Sequence, residues 1–365
     1  MVATRIVQIT SQALELELTE PFGISGGSQE RAQIALVNVT LEDGTVGRGE
    51  AAPLPAYNGE RVEGALAALD AARAGLLGAD AASWRQRSLE LSALAGESAA
   101  ARCALETALL DALSRRAGMP LHQWFGGCTP SELVSDVTIP IMAAPAARHA
   151  AERWWARGFR TLKVKIGAGD DLERLLAVHA GAPHAALVLD ANAGLDADGA
   201  LALLDALEGR GVAVALFEQP LPADDWRGLA RVAARARLAL DESVVTAADA
   251  IVAVQRLGAP HVINVKLMKS GVVGALDVVA AARAGGMSLM IGGMLESSLA
   301  MSASACFASG LGGFEFVDLD TPLFMKGSPF CGGFELRADV IDVSCIRRGH
   351  GVELAPDRAR PDLKP

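Results

Sequence analysis

Residues 161–170 read TLKVKIGAGD. The core LKVKI has the apolar, β-branched content of a buried strand, and a glycine ends it. Lys163 and Lys165 interrupt it two positions apart. Side chains at i and i+2 of a strand point to one side, so two ammonium groups crowd one face of an element that otherwise reads as core. An edge strand with a solvated lysine face is the ordinary way to place such residues. What lies on either side of the stretch argues for a different placement.

From about residue 130 the chain has the texture of a repeat. The apolar runs VTIPIM, LKVKI, ALVLDAN, VALFEQP, LALDES, VINVKLM, LMIGG and FEFVDLD alternate with Ala/Leu/Arg-rich helical stretches. Residues near their ends (Met142, Lys165, Asp190, Glu218, Asp241, Lys266, Gly292 and Asp318) follow one another at intervals of 23 to 28. One strand, one helix and two loops fill such an interval, and eight units make a (β/α)8-type barrel. A doubly wound open sheet fits less well, because no Gly-rich phosphate fingerprint follows the first strand. Ahead of the repeat, ALELEL and AQIALVNVTL alternate like antiparallel strands, with a hairpin at Glu42-Asp43-Gly44. Residues 61–96 and 98–118 read as helices, the second stopped by Gly118-Met119-Pro120. The expected architecture is a small α+β unit followed by a barrel.

At 365 residues the chain exceeds one ordinary core. A net charge of -10 argues against nucleic acid or an anionic membrane as partner. The N-terminus MVATRIVQIT lacks the apolar centre of a signal peptide, and the longest uncharged run, 297–314, is broken by five Ser and three Gly. A cytoplasmic protein is expected. Five cysteines, odd in number and without a CxxC pair, read as buried thiols. The six histidines have no metal-ligand spacing and read as structural or surface residues. Of 33 basic residues only six are lysines, and four of these (Lys163, Lys165, Lys266 and Lys269) fall in two strand-like motifs. Arginine stays protonated, whereas a buried lysine can titrate.

Barrel active sites sit at the C-terminal ends of the strands. The second strand brings Lys163 and Lys165 there, the third to fifth bring Asp190, Glu218 and Asp241, the sixth Lys266, and the eighth Asp318 and Asp320. Three converging carboxylates need a cation, and all-oxygen ligation favours Mg²⁺. Strands two and six are opposed in a ring of eight, so Lys165 and Lys266 would face each other across a bound substrate. Burial and nearby cations are expected to lower a lysine's pKa toward that of a useful base. A base on each face of a carbon next to a metal-held carboxylate suits proton removal on one side and return on the other, through an enolate. Lys163 would then be a second positive charge supporting the substrate carboxylate.

The pattern resembles the enolase superfamily, muconate-lactonizing subgroup, over essentially the whole chain. The resemblance lies in KVKIG (163–167), LDANAG (189–194), FEQP (217–220), DES (241–243) and NVKLMKSG (264–271), with ALETALLDAL (104–113) and PLHQWFGG (120–127) at the domain junction. It implies a modified TIM barrel, (β/α)7β, over residues 126–325. An N-terminal α+β capping domain over residues 1–125 would be completed by the returning segment 326–365. One Mg²⁺ per active site is implied.

Within the subgroup, FVDLDTPL (316–323) is similar to the dipeptide epimerases, whose DxD holds the substrate's α-ammonium. Asp318 and Asp320 would share a face of the strand, and two carboxylates in a half-buried mouth want a cation. The implied substrate is a small molecule, a dipeptide of L-Ala-L-Xaa type. In the cap loop 21–30, residues 23–29 hold neither an arginine nor an acid. Phe22, Ile24 and Tyr57 therefore favour an apolar or unspecific Xaa, with Thr138 and Met294 as further substrate contacts. A homo-oligomer is the expected assembly. On the same scaffold an N-acylamino acid racemase, an o-succinylbenzoate synthase or a cycloisomerase would gain nothing from Asp318 and Asp320. A Schiff-base aldolase using Lys165 or Lys266 is the alternative from another class.

Overall fold

The alternation in the first fifty residues forms a three-stranded antiparallel sheet, β1 (Ile6–Ile24), β2 (Gly27–Leu41) and β3 (Val46–Ala51). The computed structural model describes residues 4–24, 27–96, 98–127 and 132–356, and the side chains of Ile24 and Leu94 lie outside that description. Helices α1 (Pro55–Asn58), α2 (Val62–Leu76), α3 (Trp84–Leu94) and α4 (Ala99–Arg116) follow; α2 and α4 pack on the sheet, and α3 packs on those two helices. The stretch 61–96, expected as one helix, is two. Asp80 turns the chain between them by accepting from the backbone N–H of Ala82 at 2.9 Å, which starts a short 3-10 turn ahead of α3.

Helix α4 is buried along nearly its whole length and lies directly on β3. Small residues permit the approach. A Cβ at Gly47 would lie 2.1 Å from the Ala108 carbonyl oxygen, and one at Gly49 would lie 1.9 Å from that of Ala104. The glycines of TVGRGE and the alanine row of ALETALLDAL are thus two halves of one contact.

A short helix α5 (Leu121–Trp124) and a two-residue strand β4 (Leu133–Val134) lead into the repeat. Its strands are β5 (Val137–Ile139), β6 (Thr161–Lys165), β7 (Ala186–Asp190), β8 (Leu216–Glu218), β9 (Leu238–Leu240), β10 (Val262–Val265), β11 (Ser288–Ile291) and β12 (Phe314–Val317). Seven helices, from α6 (Ala144–Ala156) to α12 (Ser298–Leu311), fill the seven connections, giving (β/α)7β. The strands are parallel and neighbour one another in chain order from β5 to β12. Strand β6 pairs with β5 on one side and β7 on the other, so it is no edge strand. The two ends of the sheet meet where Asp136 N–H donates to the Val317 carbonyl at 2.8 Å and Leu319 N–H donates to Ser135 Oγ at 3.2 Å.

Inside the ring, Val188, Leu216, Ala239, Val262 and Met290 form a small apolar floor with Phe316, separate from the main core between barrel and helices. Beyond β12 the chain forms β13 (Phe330–Gly332), β14 (Glu335–Arg337), β15 (Val340–Asp342) and β16 (Val352–Leu354). This segment reaches back to the cap: Lys326 N–H donates to the Glu17 carbonyl at 2.8 Å, His350 N–H to Asp111 at 2.9 Å, and Arg48 pairs with Glu353 at 2.7 Å. Residues 357–365, with Lys364, lie outside the described residues. Among the described residues no helix is long and apolar enough to cross a membrane. Cys103 and Cys306 are buried as expected, but Cys331, on the edge-exposed β13, is exposed and Cys345, in the turn after β15, is half-buried; Cys128 lies outside the described residues.

Candidate active site

Strand alternation explains why the mouth of the barrel is polar. A residue that forms the apolar floor is followed two positions later by one that faces the mouth: Val188 by Asp190, Leu216 by Glu218, Ala239 by Asp241, Met290 by Gly292 and Phe316 by Asp318. On β10, Val262 is followed by Asn264 and then Lys266. On β6, Lys163 takes the floor position, in register with Val188, and Lys165 the upper one, in register with Asp190. A Cβ at position 292 would come within 2.7 Å of Asn264 Oδ1 and 3.1 Å of Lys266 Cε, so Gly292 leaves the space that the Lys266 side chain needs.

The lysines and carboxylates interlock. Lys163 Nζ, 1% exposed, lies 2.9 Å from Asp190, 2.8 Å from Glu218 and 2.6 Å from Asp318. Lys165 Nζ donates to Asp190 at 2.6 Å and to Asn192 at 3.2 Å. Lys266 Nζ donates to Asp241 Oδ2 at 2.6 Å and lies 5.9 Å from the centre of the Tyr57 ring. Lys269 holds the other oxygen of Asp241 at 2.7 Å and three backbone carbonyls besides. Asn264 donates to Glu218 Oε1 at 2.8 Å. Glu218 Oε2 is buried and accepts no hydrogen bond, Lys163 being close but out of line.

Burial works against the charge of Asp190, Asp241, Glu218, Lys163 and Lys266, and the balance of neighbours decides the outcome. At Asp190 the ammonium groups of Lys163, Lys165 and Lys266 outweigh burial and hold the carboxyl well below its usual range; Lys266 and Lys269 do the same for Asp241. For Glu218, burial and the charge of Asp190 win, and its pKa is raised. The lysine expectation requires correction. Lys266 is raised, not lowered, because Asp241 and Glu218 more than offset burial, and Lys163 is raised well above its ordinary value by Asp190, Asp318 and Glu218. The nearest charges are carboxylates, which favour the ammonium form.

Phe22, Tyr57, Thr138, Lys163, Lys165, Lys266, Met294, Asp318 and Asp320 all line one narrow cavity beneath the cap. The Ile24 side chain lies outside the described residues. A wider groove on the cap surface, lined by Gln29, Arg31 and Pro55 among others, contains none of the interlocked groups. Asp318 and Asp320 reach the cavity differently from expectation: β12 ends at Val317, so they lie in the turn after the strand, Asp320 opening a 3-10 turn at Thr321–Phe324. Asp320 accepts from the Thr138 backbone N–H at 2.5 Å, and burial with the charge of Asp318 pushes its pKa up to about 7.

The donors Asp190, Glu218 and Asp241 are oxygen-only, wholly buried and carried at the ends of three adjacent strands, with one Glu218 oxygen outside any hydrogen bond. That set fits a hard cation such as Mg²⁺. The tightest carboxylate trio among the described residues is another one: Asp136, Asp318 and Asp320 each place an oxygen within 4.8 Å of the other two. Sequence reasoning missed Asp136, Asn264 and Asn192. The same i, i+2 phase could have found two of them, since Asn264 stands two before Lys266 and Asp136 two before Thr138.

A (β/α)7β barrel under an antiparallel cap, with lysines and carboxylates at its mouth, is the architecture of the enolase superfamily. Residues 146–358 match the family described as Enolase C-terminal domain-like, and residues 6–126 match the Mandelate racemase / muconate lactonizing enzyme N-terminal domain. The chain belongs to this family. It is 47% identical to an aromatic dipeptide epimerase of Herpetosiphon aurantiacus, covering 96% of this chain and 99% of that protein. It is 37% identical to a hydrophobic dipeptide epimerase of Citrifermentans bemidjiense, covering 89% and 91%. Among solved structures it resembles the dipeptide epimerase of Enterococcus faecalis complexed with Mg and the dipeptide L-Leu-L-Tyr, with TM-score 0.90 and 28% identity, covering 95% of this chain and 99% of that one.

Proposed function

We propose that the protein is an isomerase that epimerises dipeptides, Mg²⁺-dependently, at the α-carbon next to the terminal carboxylate. The observation that carries this reading is the pair Lys165 and Lys266, on the second and sixth of eight strands, lining one cavity above Asp190, Glu218 and Asp241. Asp190, Glu218 and Asp241 would hold the cation. When bound, Mg²⁺ would supply Lewis-acid stabilisation of the enolate charge.

The chain's own residues do the rest. One of Lys165 and Lys266 takes the α-proton as a neutral amine while the other, as ammonium, returns a proton to the opposite face. Their roles exchange when the opposite epimer reacts. Lys163 places a positive charge next to the substrate carboxylate. Asp318 and Asp320 bind the α-ammonium, which orients the peptide along the cavity. Phe22 and Tyr57 offer apolar surface to the second residue, which agrees with the aromatic and hydrophobic dipeptides named for the relatives.

A capping unit 1–125 with 326–365 returning to it, over a barrel unit 126–325, is part of the same reading and is supported by the ties of Lys326, His350 and Glu353 to the cap. A homo-oligomer in the cytoplasm is also proposed. The free thiols among the described cysteines agree with a reducing compartment, and sedimentation would read the assembly.

The test is incubation of an L-Ala-L-Xaa library with enzyme and Mg²⁺ in D₂O, followed by mass spectrometry. A one-unit shift, confined to peptides with apolar Xaa and abolished by EDTA, is expected. No shift on any dipeptide would overturn the proposal.

A further inference from the structure

The trio at the seam of the barrel has more negative charge than its surroundings match. Asp136, Asp318 and Asp320 are 3%, 7% and 2% exposed. One resident cation touches them, Lys163, which bonds Asp318 at 2.6 Å and is shared with Asp190 and Glu218; Lys165 acts on Asp318 only from a distance. Thr138 N–H satisfies one oxygen of Asp320. Asp136 Oδ1 and Asp320 Oδ1 are buried without any hydrogen-bond partner, and these unpartnered carboxyls share the space where the trio's oxygens lie within 4.8 Å of one another. Asp320 and Asp318 line the cavity, whereas Asp136 stands behind them at the start of β5.

We infer that Asp136 is the third member of the amine-recognition site and acts as a neutral carboxylic acid, its single O–H directed at one neighbouring carboxylate, so that the site accepts one univalent ammonium. This rests on the dipeptide reading above. Three carboxylates this close cannot all ionise in a buried site, and one must keep its proton. The groups facing Asp136 decide which one. Burial, then the charge of Asp318, raise its pKa well above the ordinary range against the opposing charge of Lys163, with Asp320 and Glu218 adding to the rise; burial also acts on Asp318, but Lys163, Lys165 and Lys266 outweigh it and lower its pKa. With Asp136 neutral, two carboxylates face two positive charges, Lys163 and the substrate ammonium. With Asp136 ionised, the site would carry a third negative charge and suit a divalent cation. Asp136 touches neither cation nor cavity, so it is a positioning residue: it fixes the oxygens of Asp318 and Asp320.

The test compares Asp136→Asn, which keeps a neutral donor of the same shape, with Asp136→Leu, which keeps shape and loses the donor. Mg²⁺-loaded wild type and both variants are titrated calorimetrically with alanyl-phenylalanine and with its des-amino analogue, propionyl-phenylalanine. Wild type and Asp136→Asn are expected to prefer the free amine by the same factor within threefold. Asp136→Leu is expected to lose at least tenfold of that preference while still binding the des-amino analogue as wild type does. A second Mg²⁺ equivalent in wild type that Asp136→Asn removes would overturn the inference, because an ionised trio is then a metal site. Equal loss in both variants would overturn it as well, as would no loss in either or a wild type indifferent to the amine. Exchange of the α-proton by the wild type in D₂O, measured on the same dipeptide, reports separately on the dipeptide reading.

Discussion

Two groups of carboxylates share the mouth of this barrel and are treated in opposite ways. Asp190 and Asp241, with Glu218 between them, are clasped by four ammonium groups, and the two aspartates are held ionised against burial. Asp136, Asp318 and Asp320 have one shared lysine, two unpartnered oxygens, and two members with raised pKa values. The two aspartates of the first group keep their charge, and in the proposed reaction that group would hold the permanent cations. The second is short of one positive charge and, in the same proposal, would receive the cation that comes and goes with the substrate. Lys163 belongs to both and ties the groups into one electrostatic unit. In physical terms this divides the labour of the proposed reaction: one group governs the reacting carbon and the other holds the end of the substrate that does not react.

The comparison can be broken from either side. Asp318→Asn should raise the KM for free-amine dipeptides about 10- to 100-fold, the worth of a charge-assisted hydrogen bond, and should affect kcat less; steady-state kinetics on alanyl peptides would read it. The pH dependence of KM sharpens the same point. Asp320 ionises near pH 7, so its charge is present above that pH and lost below it. KM should be lowest just above pH 7 and should rise on acidification, and that acid limb should vanish in Asp320→Asn; above about pH 8 KM should rise in both proteins as the dipeptide's own amine loses its proton. The charged groups facing Asp320 are Asp318 and Lys163, with Asp136 behind. The smallest effect belongs to the cap: Phe22→Ala should raise KM for aromatic Xaa about three- to tenfold, the scale of about 1 kcal/mol of apolar contact, and should leave Ala-Ala unaffected.

How much of this was legible in the sequence differs between the two groups for a structural reason. The interval of 23 to 28 residues located the strand ends because seven of the eight anchors are the last residue of a strand or the one after it. Asp190, Glu218 and Asp241 could therefore be read together. The eighth anchor, Met142, lies three residues past the end of β5, and with that strand out of phase Asp136 was not visible as a neighbour of Asp318 and Asp320. Asp318 and Asp320 were visible as a DxD, but their placement in a turn follows from where β12 stops, which depends on the closing contact between Val317 and Asp136. The break between α2 and α3 lies where Gly78 takes a positive φ just past α2 and Asp80 caps the turn that follows, a two-residue signal set between long alanine- and leucine-rich stretches that read as one helix. Lysine ionisation needed the actual neighbours, since the sign of the shift depends on which charges lie within a few ångströms.

The central claim is that Lys165 and Lys266 serve opposite faces of one carbon. Each should therefore be separately indispensable, with a loss of about 10³-fold or more in epimerisation on truncation. The most direct measurement is α-proton exchange in D₂O by Lys165→Ala and Lys266→Ala, each supplied with the L,L and the L,D epimer of one active dipeptide. The account predicts that neither variant interconverts the epimers, and that each retains exchange with only one epimer, a different one for each variant. Equal exchange of both epimers by either variant would contradict it, because one lysine would then be acting on both faces.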